Sequence, residues 1–300
     1  AAEHFVRAPQ WTWYILFYFF FAGIAGGTYV IGTLLRLSGE VRDEAAARIA
    51  FLISFPATLI CPILLSADLG VSWSRFWHML VDVTPGATAL SFKYWSPMSV
   101  GAWALLVFGF FSFVSFVDAW LSNRSGATFL PRLINVVFNI VGAFVALFVA
   151  SYTGVLLSVT NQPVWSDTWA LGGLFLASGL SGSAALIALV IRDRADAAFS
   201  LGRLHQADGY FSVLELILLI VFFVTVGAAA TLDRELIWLP LWAIAVVGIA
   251  ASLVEARGHM RLQPLAGGTM AGIRLDTLVV SILVLLGVLA LRAAVIFSAQ

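Results

Sequence analysis

Eight times in 300 residues the chain runs apolar for about twenty positions or more, near 11–35, 47–68, 97–121, 131–159, 169–191, 209–231, 236–254 and 275–298. An α-helix needs about 20 such residues to cross the hydrocarbon core of a bilayer. Strands of a membrane barrel are about ten residues long and alternate in polarity. The runs do neither, so the chain is expected to be an all-α integral membrane protein with eight transmembrane helices. Only 11% of the residues are charged, against about 25% in soluble domains, and the mean hydropathy is +1.00. Most of the surface must therefore face the lipid bilayer. The connections LSGEVRDEAAA, SNRSGATFLPR, TNQPVWSDT and DRADAAFSLGRLHQAD are too short for a soluble domain. The connection 69–96 is longer, and its aromatic make-up predicts a segment lying in the membrane interface.

Basic and acidic residues balance at 16 each, so nothing points to nucleic acid as a partner. A single cysteine, Cys61, excludes a disulfide framework and an iron–sulfur cluster, which takes about four ligands. The histidines His4, His78, His205 and His259 all lie outside the apolar runs. Haem in a helical bundle needs axial ligands on the helices, so no haem and no metal are expected in this chain.

Basic residues in short loops stay on the cytoplasmic side. Assigning the loops alternately to two faces puts Arg7, Arg75, Lys93 and Arg234 on the face of the termini. The opposite face holds Arg36, Arg42, Arg48, Arg124, Arg132, Arg192, Arg194, Arg203, Arg257, Arg261 and Arg274. This bias predicts that both termini and the 69–96 connection lie outside, on the periplasmic face of a bacterial or archaeal cytoplasmic (inner) membrane.

That orientation gathers chemistry at one depth. The stretch ILLSADLGVSWSRFWH carries Asp68, Arg75 and His78 at the outer end of the second run. Tyr14 and Tyr18 share a face in the first turns of helix 1. SYTG brings Tyr152 near the outer end of helix 4, and Trp165 follows in the next outward loop. An aromatic belt with an Asp68–Arg75 ion pair would use the same residue types. The functional reading is a pocket with apolar walls and a few convergent polar groups. A lipid-soluble quinone suits it: an apolar tail in the bilayer, two carbonyl oxygens that take hydrogen bonds, and protons to exchange.

Polar residues also sit deep in the other half of the membrane. Asp118, Asn135, Asn139, Asp208 and Glu215 would serve either as hydrogen bonds between helices or as a proton path from the cytoplasm. An acid at a helix centre costs about 2.5–3.5 kcal/mol on insertion scales, so Glu215 is expected to face protein. Gly23, Gly26 and Gly27 flatten one face of helix 1 for close packing. Arg292, late in the last run, is expected to snorkel to the outer interface.

Five words in order, GIAGGTY, SADLG, SRFWHML, YWSPMSVGAW and SYTGVLLSVTNQPVW, resemble the NrfD family. These are the membrane subunits of polysulfide reductase and related molybdenum oxidoreductases. The words cover the first four helices, about half of the chain. The resemblance implies two four-helix bundles, residues 1–160 with the quinone site and 161–300. It implies a quinone, menaquinone or ubiquinone, near the outer face. It further implies an iron–sulfur electron-transfer subunit docked over that site and a molybdopterin-containing catalytic subunit beyond it. Tyr152 matches the family's tyrosine at the quinone, and Asp68 an acid at the end of helix 2. Tyr18 falls where polysulfide reductase has a quinone-contacting histidine, and Ile15 where the family has an asparagine. The expected function is a quinone/quinol-binding membrane subunit of a multisubunit respiratory oxidoreductase. A secondary transporter and a purely structural anchor are the alternatives.

Overall fold

The computed structural model describes residues 10–86, 89–126, 128, 130–227, 236–261 and 276–300. Eight long α-helices run through them: α1 (Trp13–Leu37), α2 (Glu44–Asp68), α3 (Pro97–Ser125), α4 (Arg132–Ser158), α5 (Leu171–Ile191), α6 (Ala198–Val226), α7 (Leu239–Arg261) and α8 (Thr277–Ser298). All eight carry a stretch long and apolar enough to cross a membrane. This is a multi-pass membrane protein.

Local chemistry sets the helix ends. Thr12 caps α1 by accepting from the Tyr14 amide, and Asp276 caps α8 by accepting from Leu278. Ser96 caps α3, where Pro97 occupies the first turn and loses no needed donor. Gly126 ends α3 at φ +71°, a left-handed conformation that glycine adopts without a Cβ penalty.

The backbone of Trp11 donates to Oε1 of Gln300 at 2.7 Å, and the rings of Trp13 and Phe297 meet at 5.2 Å. Both described ends therefore lie on one face, the terminal face. The α1–α2 turn, the α3–α4 connection and the start of α6 lie on the opposite face. α1 packs on α2 and α4, and α3 on the same two; α5 packs on α6 and α8, and α7 on the same two. α1 and α4 lie against α5. α1 and α5 are consequently the most enclosed helices, apolar on every side.

Small residues let these two approach. A Cβ on Gly23 would meet the Gly179 Cα at 3.4 Å, and one on Gly27 the Gly179 carbonyl oxygen at 2.7 Å. The flattened face of helix 1 is a packing face.

Two regions differ from the sequence reading. α6 starts at Ala198, so most of the stretch read as the connection DRADAAFSLGRLHQAD is helix. Ser200 and Arg203 donate to Asp43, His205 lies 3.3 Å from Glu255, and Asp208 accepts from Ser181 at 2.6 Å, a compensation that hydropathy does not register. Arg292 does not snorkel. It is fully buried and donates to Ser178 Oγ at 2.9 Å and to the carbonyls of Phe175 (3.0 Å), Val288 (3.2 Å) and Phe19 (3.3 Å). Tertiary acceptors from α1 and α5 hold the guanidinium inside.

Candidate functional site

At the terminal-face end of α1–α4 the predicted residues come from α1, α2 and α4, from the 3-10 segment after α2 and from the loop after α4. Tyr18 of α1 is buried, with its ring 5.5 Å from that of Phe19. It lies within electrostatic reach of Cys61 on α2 and Tyr152 on α4. The Tyr18 hydroxyl makes no hydrogen bond among the described residues. Tyr152, also buried, donates its hydroxyl to the carbonyl of Pro97 at the start of α3. Its ring lies against Gly101, where a Cβ would collide with it, and stacks on Phe148 at 5.8 Å. Glycine at 101 thus gives the tyrosine its seat.

Asp68 closes α2 at the rim. It is exposed and accepts from Thr12 Oγ1 at 3.4 Å. Thr12, rather than Arg75, is its partner. Arg75 is exposed on the short 3-10 segment Gly70–Met79, and His78, half-buried there, packs its ring on Trp77 at 4.2 Å. Tyr14, one turn before Tyr18, faces outward. Trp165 is fully buried, stacked on Trp11 at 5.1 Å and donating to the Val295 carbonyl at 2.7 Å. It ties the loop after α4 to α8.

The 69–96 connection joins α2 to α3 at this end, its 3-10 segment packed on α2. It folds back through a bridge between Val81 and Leu90, and Thr84 donates backbone and side-chain hydrogen bonds to Asp82. Those two bonds hold the Asp82 carboxyl below its usual range. Trp73, Phe76, Trp77, Tyr94 and Trp95 are exposed on the connection.

An apolar groove lies elsewhere. About 630 Å³ in volume, it lies between α1, α7 and α8, lined by Trp13, Leu16, Trp238, Ile244, Leu286 and Phe297 among others. Its walls are almost wholly apolar.

The interior polar residues form two separate ladders. In the first half, Asp118 meets Arg36 at 3.1 Å and accepts from Asn135 at 2.9 Å. Asn139 donates to Asn135 Oδ1 at 2.6 Å and accepts from Ser115 at 3.0 Å, and Tyr29 meets Ser115 at 2.9 Å. Arg36 also bonds Asn135 (2.9 Å) and Glu44 (3.1 Å). In the second half, Asp208 accepts from Ser181 at 2.6 Å, and Glu215 is buried about two turns further along α6. Among the described residues no group of three or more His, Cys, Asp or Glu is placed to hold a metal ion.

Of the five words that resembled NrfD, SYTGVLLSVTNQPVW thus contributes Tyr152, SADLG the Asp68 rim, and SRFWHML and YWSPMSVGAW much of the 69–96 connection, while Tyr18 lies just before GIAGGTY. The sequence profile described as polysulphide reductase, NrfD, matches residues 2–300. The chain belongs to the NrfD family. It is also similar to the C subunit of polysulfide reductase from Wolinella succinogenes, 25% identical over 324 aligned residues that cover 97% of this protein and 94% of that one. As an NrfD protein it is the membrane subunit of a redox complex, with an electron-transport role that fits its family.

Sequence reasoning missed Arg292. Its signal was present in Gly23, where a Cβ would meet the guanidinium at 2.6 Å. A glycine on the enclosed face of α1 makes the room that a buried cation needs.

Proposed function

We propose that this NrfD protein binds quinone or quinol between α1, α2, α3 and α4 at the terminal face. There it exchanges electrons with an iron–sulfur subunit. Residues 1–160 act as a four-helix bundle holding the site, and residues 161–300 as a second bundle packed on it. The terminal face is the periplasmic side of a bacterial or archaeal inner membrane, as the loop arginines favour. The iron–sulfur subunit docks over 69–96 and 160–168, and a molybdopterin-containing subunit completes the enzyme. The quinone is menaquinone or ubiquinone.

One observation carries this reading. A buried phenol, Tyr18, is left without a hydrogen-bond partner among the described residues, beside a second phenol, Tyr152. The Tyr18 hydroxyl is a donor not engaged by these residues, and a quinone oxygen is an acceptor of the right kind. The exposed aromatic residues of the 69–96 connection suit burial by a partner protein.

Within the site this protein's residues bind, orient and move protons. Tyr18 donates to one quinone oxygen. Tyr152, turning from the Pro97 carbonyl, donates to the reacting head as charge develops on it, which charge-assisted hydrogen bonds favour. Asp68 at the rim, with His78 and Arg75 further out, passes protons to the aqueous side. The quinone supplies the redox chemistry.

Tyr152→Phe and Tyr18→Phe test the proposal in the complete complex. Each removes one hydrogen bond worth about 0.5–1.5 kcal/mol. Quinone-linked turnover should fall while partner activity with an artificial dye holds. Unchanged quinone kinetics in both variants would refute it.

A further inference from the structure

The apolar groove between α1, α7 and α8 owes its shape to how those helices meet. α8 packs on both α7 and α1, whereas α1 and α7 are not packed on each other. α8 is therefore the floor, and the other two helices are the walls. Leu283, Leu286, Ala290, Ala293 and Phe297 line the floor, spaced by three and four so that they share one face of α8. Ala290 and Ala293 are buried there, and their short side chains give the groove its depth. On the α7 wall Ile244 and Val247 are exposed, so the groove opens sideways toward the lipid.

Its dimensions decide what fits. From Leu283 to Phe297 is about 21 Å of helix, longer than the about 15 Å of hydrocarbon in one leaflet. About 630 Å³ over that length is a mean cross-section of about 30 Å². A helix with its side chains is about 10–12 Å across, or about 80–110 Å². A methylene chain is about 4 Å across at van der Waals contact, or about 16 Å². The groove is too slender to seat a transmembrane helix. It takes one or two hydrocarbon chains.

The mouth of the groove, at the terminal face, has a different chemistry. Trp13 and Trp238 flank Phe297, their rings 5.2 Å and 6.0 Å from its own. Neither indole N–H makes a hydrogen bond among the described residues. Tryptophan settles at the membrane–water interface with its apolar body inward and its N–H available to polar groups. At that depth stand the ester carbonyls of a phospholipid, which accept hydrogen bonds.

We infer that the groove binds one phospholipid of the terminal-face leaflet, its acyl chains along Ala290 and Ala293 and its esters at Trp13 and Trp238. A chain lying there touches three helices, where a chain on a convex helix surface touches one. The added contacts slow its exchange with the bilayer. The lipid bridges α1 of the first half to α7 of the second. This site is separate from the proposed quinone site. Leu16 lines the groove and stands about 200° around α1 from Tyr18, which reaches Cys61 on α2 and Tyr152 on α4 instead.

The test uses the complete complex in vesicles of phosphatidylethanolamine and phosphatidylglycerol. Part of the phosphatidylethanolamine carries a diazirine on one acyl chain. The complex is then moved through detergent into probe-free vesicles of the same composition, irradiated, and its crosslinks mapped by peptide mass spectrometry. Labels on Phe110 of α3 and Phe144 of α4, both exposed, should fall at least several-fold on transfer, while labels on Ile244, Leu286 and Phe297 persist. Ala290→Leu and Ala293→Leu fill the floor and should lower the retained label several-fold. Should these fail to assemble, Trp13→Phe with Trp238→Phe keeps the rings, removes both donors and should shorten retention. Groove labels lost as fast as those at Phe110 would overturn the inference, as would retention unchanged in the alanine variants and the tryptophan pair. Displacement of the probe by excess quinone, but not by excess unlabelled phospholipid, would also overturn it and make the groove a quinone site.

Discussion

The two halves of the protein bury similar numbers of polar groups and use them in opposite ways. In α1–α4, Arg36 meets Asp118 at 3.1 Å and Glu44 at 3.1 Å, and the amides of Asn135 and Asn139 extend the network to Tyr29. In α5–α8 the carboxyls of Asp208 and Glu215 face hydroxyls or an apolar cleft. Arg292 there bonds neutral oxygens. A buried cation matched to a carboxylate fixes a geometry. Carboxyls without one remain open to proton exchange. The first half is thereby braced beneath the two tyrosines, and the second half keeps buried carboxyls that no bonded guanidinium matches.

The sharpest way to break this comparison is Arg36→Leu. Removing one partner of a buried pair costs about 3–5 kcal/mol, and Asp118 would be left without its guanidinium. Unfolding of the purified protein in detergent should show that loss, and Arg36→Leu with Asp118→Leu should recover much of it. Equal losses in the single and double variants would mean that the pair does not pin α1–α4.

Next in size is Gly101→Ala. Its Cβ falls on the Tyr152 ring, and overpacking typically costs about 1–3 kcal/mol. Quinone-linked turnover should drop with it. On the same helix Gly109 has nothing within 4 Å of an added Cβ, so Gly109→Ala should be neutral or stabilise by up to about 1 kcal/mol. Like effects at both positions would show that Gly101 seats nothing.

Tyr18→Phe and Tyr152→Phe come third, at about 2- to 12-fold in quinone-linked turnover for one hydrogen bond each. The smallest effect belongs to the 69–96 connection. Because Thr84 lowers the Asp82 pKa, that turn's contribution is present above the ordinary aspartate range. It is lost as pH falls through the lowered value. Amide exchange at Thr84, corrected for its intrinsic pH dependence, should show less protection in acid, and Asp82→Asn should abolish the change.

The eight helices were legible because unbroken apolar runs leave few alternatives. Asn135, Asn139 and Asp118 were legible as a group, since helical spacing puts the two amides on one face and the acid at the same depth. The start of α6 was not, because Arg203, His205 and Asp208 read as a loop until their partners on neighbouring elements are known. Arg292 was misplaced for the same reason: its acceptors are carbonyls of Phe19 and Phe175, far away in sequence. At the site, spacing joined Tyr14 to Tyr18, yet only Tyr18 turns inward. Trp165 read as an interfacial ring and is buried beneath Trp11. Side-chain type gave the depth of each residue; direction came from packing.

Photoaffinity labelling of the complete complex with an azidoquinone, mapped by peptide mass spectrometry, tests the quinone site most directly. The predicted labels fall on peptides containing Tyr18, Cys61 or Tyr152, and excess natural quinone suppresses them. Labels confined to Trp238, Ile244, Leu286 and Phe297, in the apolar groove of α7 and α8, would contradict it.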